Sequence, residues 1–215
     1  PTRPVHPFFK PSTMTASSTT HFDTAARDWD QRPTSLQLAA VPERLLAQLP
    51  LQTSDHVLDF GAGTGLLSTA IAPQVAQVTA LDMSGAMLQV LDEKGFSNIT
   101  TRQKDIFAGL PEQYHAIVSC MAMHHVADTA ALLRAFAAAL HSGGRIALVD
   151  LYAEDGSFHG DNAAKGVQHF GFAPDSLRAL AEQAGFVDIA FSEILRLQHS
   201  NGRAYPLFLM TGRKP

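Results

Sequence analysis

A short apolar run that ends in an acid and three alternating glycines is the feature that most constrains the fold. Residues 57–65 read Val-Leu-Asp-Phe-Gly-Ala-Gly-Thr-Gly. Glycines so close together weaken any regular element through their entropy, which favours a sharply bent backbone beside a ligand. A plain strand-to-helix turn is the alternative. Because residues 66–72 carry a helical apolar stripe, the pattern predicts a buried strand that enters a helix through a glycine-rich loop.

An acid at the end of the next predicted strand favours a nucleoside-binding site. Residues 75–81 form a β-rich run that ends at Asp82, which lies 17 residues after Gly65. A carboxylate in this position can accept hydrogen bonds from ribose hydroxyls. NAD sites typically show G-x-G-x-x-G, where helix amides meet a pyrophosphate, whereas this chain has G-x-G-x-G preceded by Asp59. The Asp59 carboxylate would repel a pyrophosphate and suits a cationic or amine-bearing ligand.

At these positions the sequence resembles the class I S-adenosylmethionine-dependent methyltransferases. The loop from Asp59 to Gly65, Asp82, and the pair Asp105-Ile106 after the third predicted strand carry the resemblance, which covers about residues 20–213. It implies S-adenosylmethionine as cofactor and S-adenosylhomocysteine as product. It also implies that Asp105 bonds the adenine amino group and that Ile106 packs near the ring, with a surface turn as the alternative. The cofactor-binding residues that we predict are Phe22, Trp29, Asp59, Phe60, Gly61, Ala62, Gly63, Gly65, Asp82, Met83, Met87, Asp105, Ile106 and Cys120.

Strand and helix patterns alternate along the remaining chain, which predicts a parallel sheet covered on both faces. Helices are predicted at residues 21–30, 36–48, 66–72, 85–94, 130–141 and 176–184, and further strands at 99–103, 116–120, 145–151, 187–197 and 205–212. The last two strands are joined by turn-prone residues, which predicts an antiparallel hairpin. The expected fold is therefore α/β, a Rossmann-like doubly wound seven-stranded sheet, mostly parallel, with a C-terminal antiparallel hairpin.

We predict one methyltransferase domain over residues 21–215, behind a disordered tail. The tail, residues 1–20, holds four prolines and no acid, so it cannot bury enough apolar surface to order itself. An organelle transit peptide is the alternative for this segment. At 215 residues and 46% hydrophobic content, the whole chain suffices for one domain with a sizeable core.

Two segments of this domain are predicted to act as lids. Residues 21–35 begin with a helix that places Phe22 and Trp29 on one face, where an aromatic ring near a sulfonium would gain roughly 0.5–2 kcal/mol. A helix that merely docks on the core is the alternative. Residues 152–173 form a loop of about 20 residues, which is unusual in a compact domain unless it is functional.

The loop after the fourth predicted strand points to a small-molecule acceptor. It lacks the Asn/Asp-Pro-Pro-aromatic motif of adenine and amide methyltransferases and the Pro-Cys pair of cytosine-C5 enzymes. It resembles the ubiquinone and menaquinone biosynthesis methyltransferases, whose loop often holds a histidine pair followed by an acid, here His124, His125 and Asp128. Our candidate catalytic residues are His124, His159 and His169, because imidazole titrates near neutral pH and methyl acceptors often need a proton removed. Structural hydrogen bonds are the alternative role for these side chains.

The composition and charge of the chain limit the kinds of partner that we expect for it. The net charge of −4 is spread without a basic block, so we expect no nucleic-acid partner, and no apolar run approaches membrane-spanning length. The single cysteine, Cys120, excludes an internal disulfide and fits a cytoplasmic protein, either a monomer or a homodimer. The spacing of His159, Asp161 and His169 matches no tight ligand pattern, so no metal is predicted.

The predicted function is transfer of a methyl group from S-adenosylmethionine to a small-molecule acceptor through an O, N, S or C atom. Two alternatives belong to other classes. One is an NAD-dependent oxidoreductase, and the other is a non-catalytic regulatory module that keeps the nucleoside pocket.

Overall fold

The computed structural model of the chain describes residues 16–215, which form one seven-stranded sheet flanked by helices. The strands are β1 (His56–Phe60), β2 (Gln77–Asp82), β3 (Ile99–Gln103), β4 (Tyr114–Cys120), β5 (Leu140–Leu151), β6 (Val187–Gln198) and β7 (Ala204–Arg213). The α-helices are α1 (Ala16–Ala25), α2 (Pro33–Leu38), α3 (Val41–Leu46), α4 (Leu66–Ile71), α5 (Gly85–Asp92), α6 (Thr129–Ala139) and α7 (Pro174–Gln183). Within residues 16–215, no helix has the length and apolar character that crossing a membrane would need.

The strand order confirms the predicted sheet. Along the sheet the order is β3-β2-β1-β4-β5-β7-β6. Strands β1 to β5 pair in parallel, whereas β7 pairs antiparallel with both β5 and β6. The order reverses direction between β1 and β4, and ligands of open α/β sheets bind beyond the carboxyl ends of the strands at such a switch point.

Successive residues of the central strands point to opposite faces of the sheet and build two separate cores. On one face Val57 of β1 joins the helices α2, α3 and α4, whose largest fully buried contribution is Leu45. On the other face the next residue, Leu58, joins α6 and α7 through Phe136 and Leu177. Helices on both faces explain why the central strands are apolar on both sides, as a doubly wound sheet requires.

Several predicted boundaries were wrong. The helix predicted at 36–48 is two short helices, because Pro42 is accepted in the first turn of the second helix but cannot continue the first. The N-terminal helix begins at Ala16, before the predicted start at residue 21, and changes to a 3-10 helix over Ala26–Gln31. Of the predicted tail, residues 16–20 lie in α1 and the remainder lies outside the described residues.

The glycine-rich loop between β1 and α4 depends on backbone conformations that favour glycine. Gly61, Gly63 and Gly65 have φ angles of 66°, 54° and 94°. A Cβ atom on Gly61 would lie 2.3 Å from the Cβ of Ala122, in the loop after β4, whereas a Cβ on Gly63 would meet nothing within 4 Å. The loop can therefore approach the residue after β4 this closely because Gly61 has no side chain.

This difference predicts unequal costs for two alanine substitutions. Gly61→Ala should lower the free energy of unfolding by about 2–5 kcal/mol, because conformational strain of about 1–2 kcal/mol adds to an overpacking cost of about 1–3 kcal/mol. Gly63→Ala is the matched control, since it incurs the strain alone. Urea unfolding of both variants would measure the difference, and equal costs would contradict the close packing at Gly61.

Candidate active site

A cavity of about 340 Å³ opens beyond the carboxyl ends of the central strands, at the switch point between β1 and β4. We refer to it as the main cavity. Gly65 does not line it and instead caps the start of α4 with a left-handed conformation. Thirteen of the fourteen predicted cofactor-binding residues line the main cavity, namely Phe22, Trp29, Asp59, Phe60, Gly61, Ala62, Gly63, Asp82, Met83, Met87, Asp105, Ile106 and Cys120.

Asp82 connects the glycine-rich loop to the end of β2. Its Oδ2 accepts a hydrogen bond from the backbone N–H of Gly63 and its Oδ1 accepts one from the N–H of Ser84, each at 2.8 Å. Withdrawal from solvent raises the pKa of Asp82, and these backbone donors oppose that rise. The carboxylate is thus held in one orientation at the wall of the main cavity.

Asp59 is a second carboxylate in the same wall, and it is buried, with 1% of its surface exposed. Its Oδ2 accepts hydrogen bonds from the N–H of Ser68 at 3.0 Å and from the Ser68 hydroxyl at 2.6 Å. Burial raises the pKa of Asp59 to about 7, although the Ser68 bonds oppose the rise. No cation among residues 16–215 forms an ion pair with Asp59, and a buried acid in this state suits a ligand that brings its own positive charge.

Asp105 follows β3, as predicted, and faces the main cavity. Its Oδ1 accepts a hydrogen bond from the N–H of Phe107 at 2.9 Å, which caps the 3-10 helix over Ile106–Ala108. Ile106 is buried and packs in the core. The cap fixes the direction of the Asp105 carboxylate beside an apolar wall.

The segment formed by α1 and the following 3-10 helix is hydrogen-bonded to the rim of the main cavity. Asp30 accepts hydrogen bonds from the Thr64 hydroxyl of the glycine-rich loop at 2.5 Å and from Lys94 Nζ at 2.8 Å. Asp23 accepts one from the Ser84 hydroxyl at 2.5 Å. These contacts hold the N-terminal segment against the glycine-rich loop and against both ends of α5.

A smaller cavity of about 180 Å³ adjoins the main one. Phe22 lines both cavities, and its ring packs edge-on against Trp29 at 5.6 Å and against His125 at 5.2 Å between ring centroids. Of the predicted catalytic residues, His124 and His159 line the smaller cavity. The two cavities are therefore neighbours that share an aromatic boundary.

His124 and His125 lie on a 3-10 helix (Met123–His125) after β4, and both are buried. The Nδ1 of His124 lies 2.7 Å from Oδ1 of Asp150, and both side chains are almost fully buried. The Nε2 of His124 lies 3.2 Å from the Nε2 of His159. Burial lowers the pKa of His125 to about 3, and burial together with the neighbouring imidazoles also lowers the pKa of His159.

The His169 backbone N–H donates to the carbonyl oxygen of His124 at 3.1 Å, but its imidazole contacts other groups. Its Nε2 is 3.0 Å from the carbonyl oxygen of Val126 and 3.2 Å from that of Ala127, so it donates to the backbone. It lines neither cavity. This placement favours the structural role that we held as its alternative.

Sequence reasoning missed several residues of the smaller cavity. Arg32, Lys165 and His199 line it, and they come from three distant segments that no local spacing connects. Asp150 could have been found, because it is an acid in the otherwise apolar run 146–151. A carboxylate inside a buried strand needs a hydrogen-bond partner, and here that partner is His124.

Comparison with known proteins agrees with this geometry. The model of the methyltransferase domain family matches residues 29–190. An uncharacterized methyltransferase of Schizosaccharomyces pombe is 31% identical over 147 residues, which are 60% of this chain and 52% of that protein. A ubiquinone biosynthesis O-methyltransferase of Xylella fastidiosa is 36% identical over 128 residues, 55% of this chain and 52% of that one.

The chain thus spans about half the length of these curated relatives. Among solved structures, a DhpI–SAH complex superposes with a TM-score of 0.72 at 21% identity, over 92% of this chain and 95% of that one, which shows a shared fold. The family match covers most of the chain. The chain therefore belongs to the methyltransferase domain family and has the fold of the class I S-adenosylmethionine-dependent methyltransferases.

Proposed function

We propose that this chain transfers the methyl group of S-adenosylmethionine to a small-molecule acceptor. The observation that carries the proposal is the meeting of Asp59, Asp82 and the glycine-rich loop in the wall of one cavity. Asp82 would accept hydrogen bonds from the ribose hydroxyls, and Asp59 faces the side where an amino-acid moiety would bring a cation. The buried Asp59 disfavours a pyrophosphate, and hence the NAD-dependent alternative, whereas an acid at the position of Asp82 is common to both cofactor classes.

The cofactor itself supplies an activated methyl group on a sulfonium. The protein then has to align the donor sulfur, the methyl carbon and the acceptor atom, and to keep water out. We assign the second task to residues 21–35, because Phe22 and Trp29 line the main cavity and hydrogen bonds tie this segment to the loop below. Residues 152–173 are the second proposed lid, since His159 of this loop contacts His124 and Gly166 contacts His125.

We place the acceptor in the smaller cavity. It shares Phe22, Met121 and His125 with the main cavity, so a molecule bound there lies next to the cofactor. Its charged lining residues, among those that the structure describes, are Arg32 and Lys165, which favours an acceptor with a negatively charged end. The Xylella relative is named for O-methylation, so oxygen acceptors come first in a screen. A monomeric or homodimeric cytoplasmic protein without nucleic-acid partners stays a prediction.

Calorimetric titration with S-adenosylmethionine, S-adenosylhomocysteine and NAD tests the cofactor. We expect micromolar binding of both adenosyl ligands and none of NAD, because the Asp59 carboxylate in the cavity wall would repel a pyrophosphate. Turnover of an acidic acceptor panel then tests methyl transfer. Binding of NAD alone would overturn the proposal, and adenosyl binding without turnover of any acceptor would favour the non-catalytic module.

Asp82→Ala should weaken S-adenosylmethionine binding by roughly 3–6 kcal/mol, because it removes two charge-assisted hydrogen bonds to the ribose that contribute about 1.5–3 kcal/mol each. Asp92→Ala is the matched control. Asp92 is the last residue of α5, accepts a hydrogen bond from the Thr101 hydroxyl of β3, and does not line the main cavity. Calorimetry on both variants measures the effect. Unchanged affinity in Asp82→Ala would contradict the ribose assignment.

The raised pKa of Asp59 predicts a pH dependence of cofactor affinity. Between about pH 3.8 and 7 the folded protein keeps a proton on Asp59 that the unfolded chain releases. The stability that this proton confers is fully present below about pH 3.8 and is lost as the pH rises through about 7. A cationic ligand needs the ionised form, whose population rises more than about tenfold between about pH 5.5 and 7. An α-amino group, with a pKa of about 7.7–8.0, stays charged over that interval.

We therefore expect affinity for S-adenosylmethionine to rise roughly tenfold from about pH 5.5 to 7 in calorimetric titrations. Asp59→Asn should bind S-adenosylmethionine weakly and lose most of this pH dependence. The pH dependence that remains would come from Asp82, whose pKa is also raised. Equal affinity at both pH values in the unmodified protein would count against a charged Asp59 beside the cofactor.

A further inference from the structure

Three histidines from two segments meet in the wall of the smaller cavity. His124 and His125 come from the turn after β4, and His159 comes from the loop over residues 152–173. One ring nitrogen of each lies within 4.8 Å of those of the other two. From this convergence we propose that His124, His125 and His159 bind a divalent transition-metal ion, with zinc as the best match.

The distances fit a small tetrahedral site. Nitrogen ligands about 2.0–2.1 Å from a tetrahedral zinc ion lie about 3.3 Å apart. The separation of the Nε2 atoms of His124 and His159 is 3.2 Å. The other separations in the cluster reach up to 4.8 Å, so closing the three rings around a zinc ion needs a movement of about 1.5 Å.

Hydrogen bonds behind two of the imidazoles are a second, independent observation. Asp150 accepts from Nδ1 of His124 at 2.7 Å, and the carbonyl oxygen of Gly166 accepts from Nδ1 of His125 at 3.2 Å. Each bond places the proton on Nδ1 and leaves the Nε2 lone pair to face away from that partner. Metal-binding histidines almost always have such a carboxylate or carbonyl partner, which fixes the tautomer and the ring orientation.

A direct hydrogen bond from His159 to His124 would account for their 3.2 Å contact without a metal. It does not account for the third imidazole, His125, which meets the other two with its Nδ1 already engaged by a carbonyl. The cation Lys165 lies nearby, but its ammonium group donates to the carbonyl oxygen of His159 at 2.5 Å. The buried Asp150 supplies a negative charge that favours a bound cation.

The donor set selects the class of ion. Neutral imidazoles suit zinc, cobalt, nickel and copper, whereas magnesium and calcium prefer oxygen ligands. Three protein ligands leave one position open, as in catalytic rather than structural zinc sites. Since all three histidines line the smaller cavity, an oxygen of the acceptor could take that position. This last role rests on the proposed function, whereas the metal site itself does not.

Metal titration of tag-free, chelator-stripped protein tests the site. Cobalt(II) should bind one equivalent per chain, give the visible absorption of a tetrahedral ion, and be displaced by zinc, while magnesium gives no signal. His124→Gln and His159→Gln should lower the affinity by more than about 100-fold, because even an outer partner contributes about 10- to 100-fold. Asp150→Asn should lower it by about 10- to 100-fold.

His199→Gln is the matched control, since His199 lines the same cavity outside the cluster, and its metal affinity should be unchanged. Thermal unfolding of each variant identifies any that fail to fold, and His159→Gln, on a half-buried loop position, keeps the test open if His124→Gln does not fold. No saturable cobalt binding, or binding that survives His159→Gln, would overturn the proposal. Metal binding without S-adenosylmethionine binding would reject the proposed function alone, and the reverse result would reject the metal site alone.

Discussion

The carboxylate of Asp82 is the contact on which the other parts of the site depend. One oxygen holds the glycine-rich loop through Gly63, and the other holds Ser84, whose hydroxyl caps α5 by accepting from the N–H of Met87 at 3.2 Å. The same hydroxyl donates to Asp23 of the N-terminal segment. Loop, helix and N-terminal segment are therefore fixed relative to one another by one partly buried acid, to which we assign the cofactor ribose.

The two cavities differ in the charged residues that line them. The main cavity has Asp59, Asp82 and Asp105 in its wall, near the carboxyl ends of three neighbouring strands, and it is also lined by Asp30, Lys94 and Lys104. The smaller cavity has Arg32 and Lys165 together with buried histidines. Acids thus outnumber lysines in the wall of the main cavity, whereas the charged groups of the smaller cavity, among the described residues, are an arginine and a lysine, and this difference supports the proposed placement of a cationic donor in the first and an anionic acceptor in the second.

The features that depend on local sequence pattern were predicted, and the contacts between residues far apart in the sequence were missed. Period-two and helical stripes identified the strands and most helices, and the residues after β1, β2 and β3 indeed reach one cavity, because parallel strands end at one edge. Pro42 divided a helix that its apolar stripe had favoured. The pairing of His124 with Asp150, and its approach to His159, connect residues 26 and 35 positions apart, which no spacing rule reaches.

The N-terminal segment completes both cavities, and this gives it a role beyond covering the cofactor. Phe22 and Trp29 line the two cavities at once, and Phe22 packs against His125, which in turn bonds Gly166 in the second proposed lid. The ion pairs that hold the segment to α5, including Lys94 with Asp30, are partly exposed and so contribute about 0–1 kcal/mol each. The hydrogen bonds from Thr64 to Asp30 and from Ser84 to Asp23 therefore do more than these ion pairs to hold the segment, and any movement of the segment would change the walls of both cavities together.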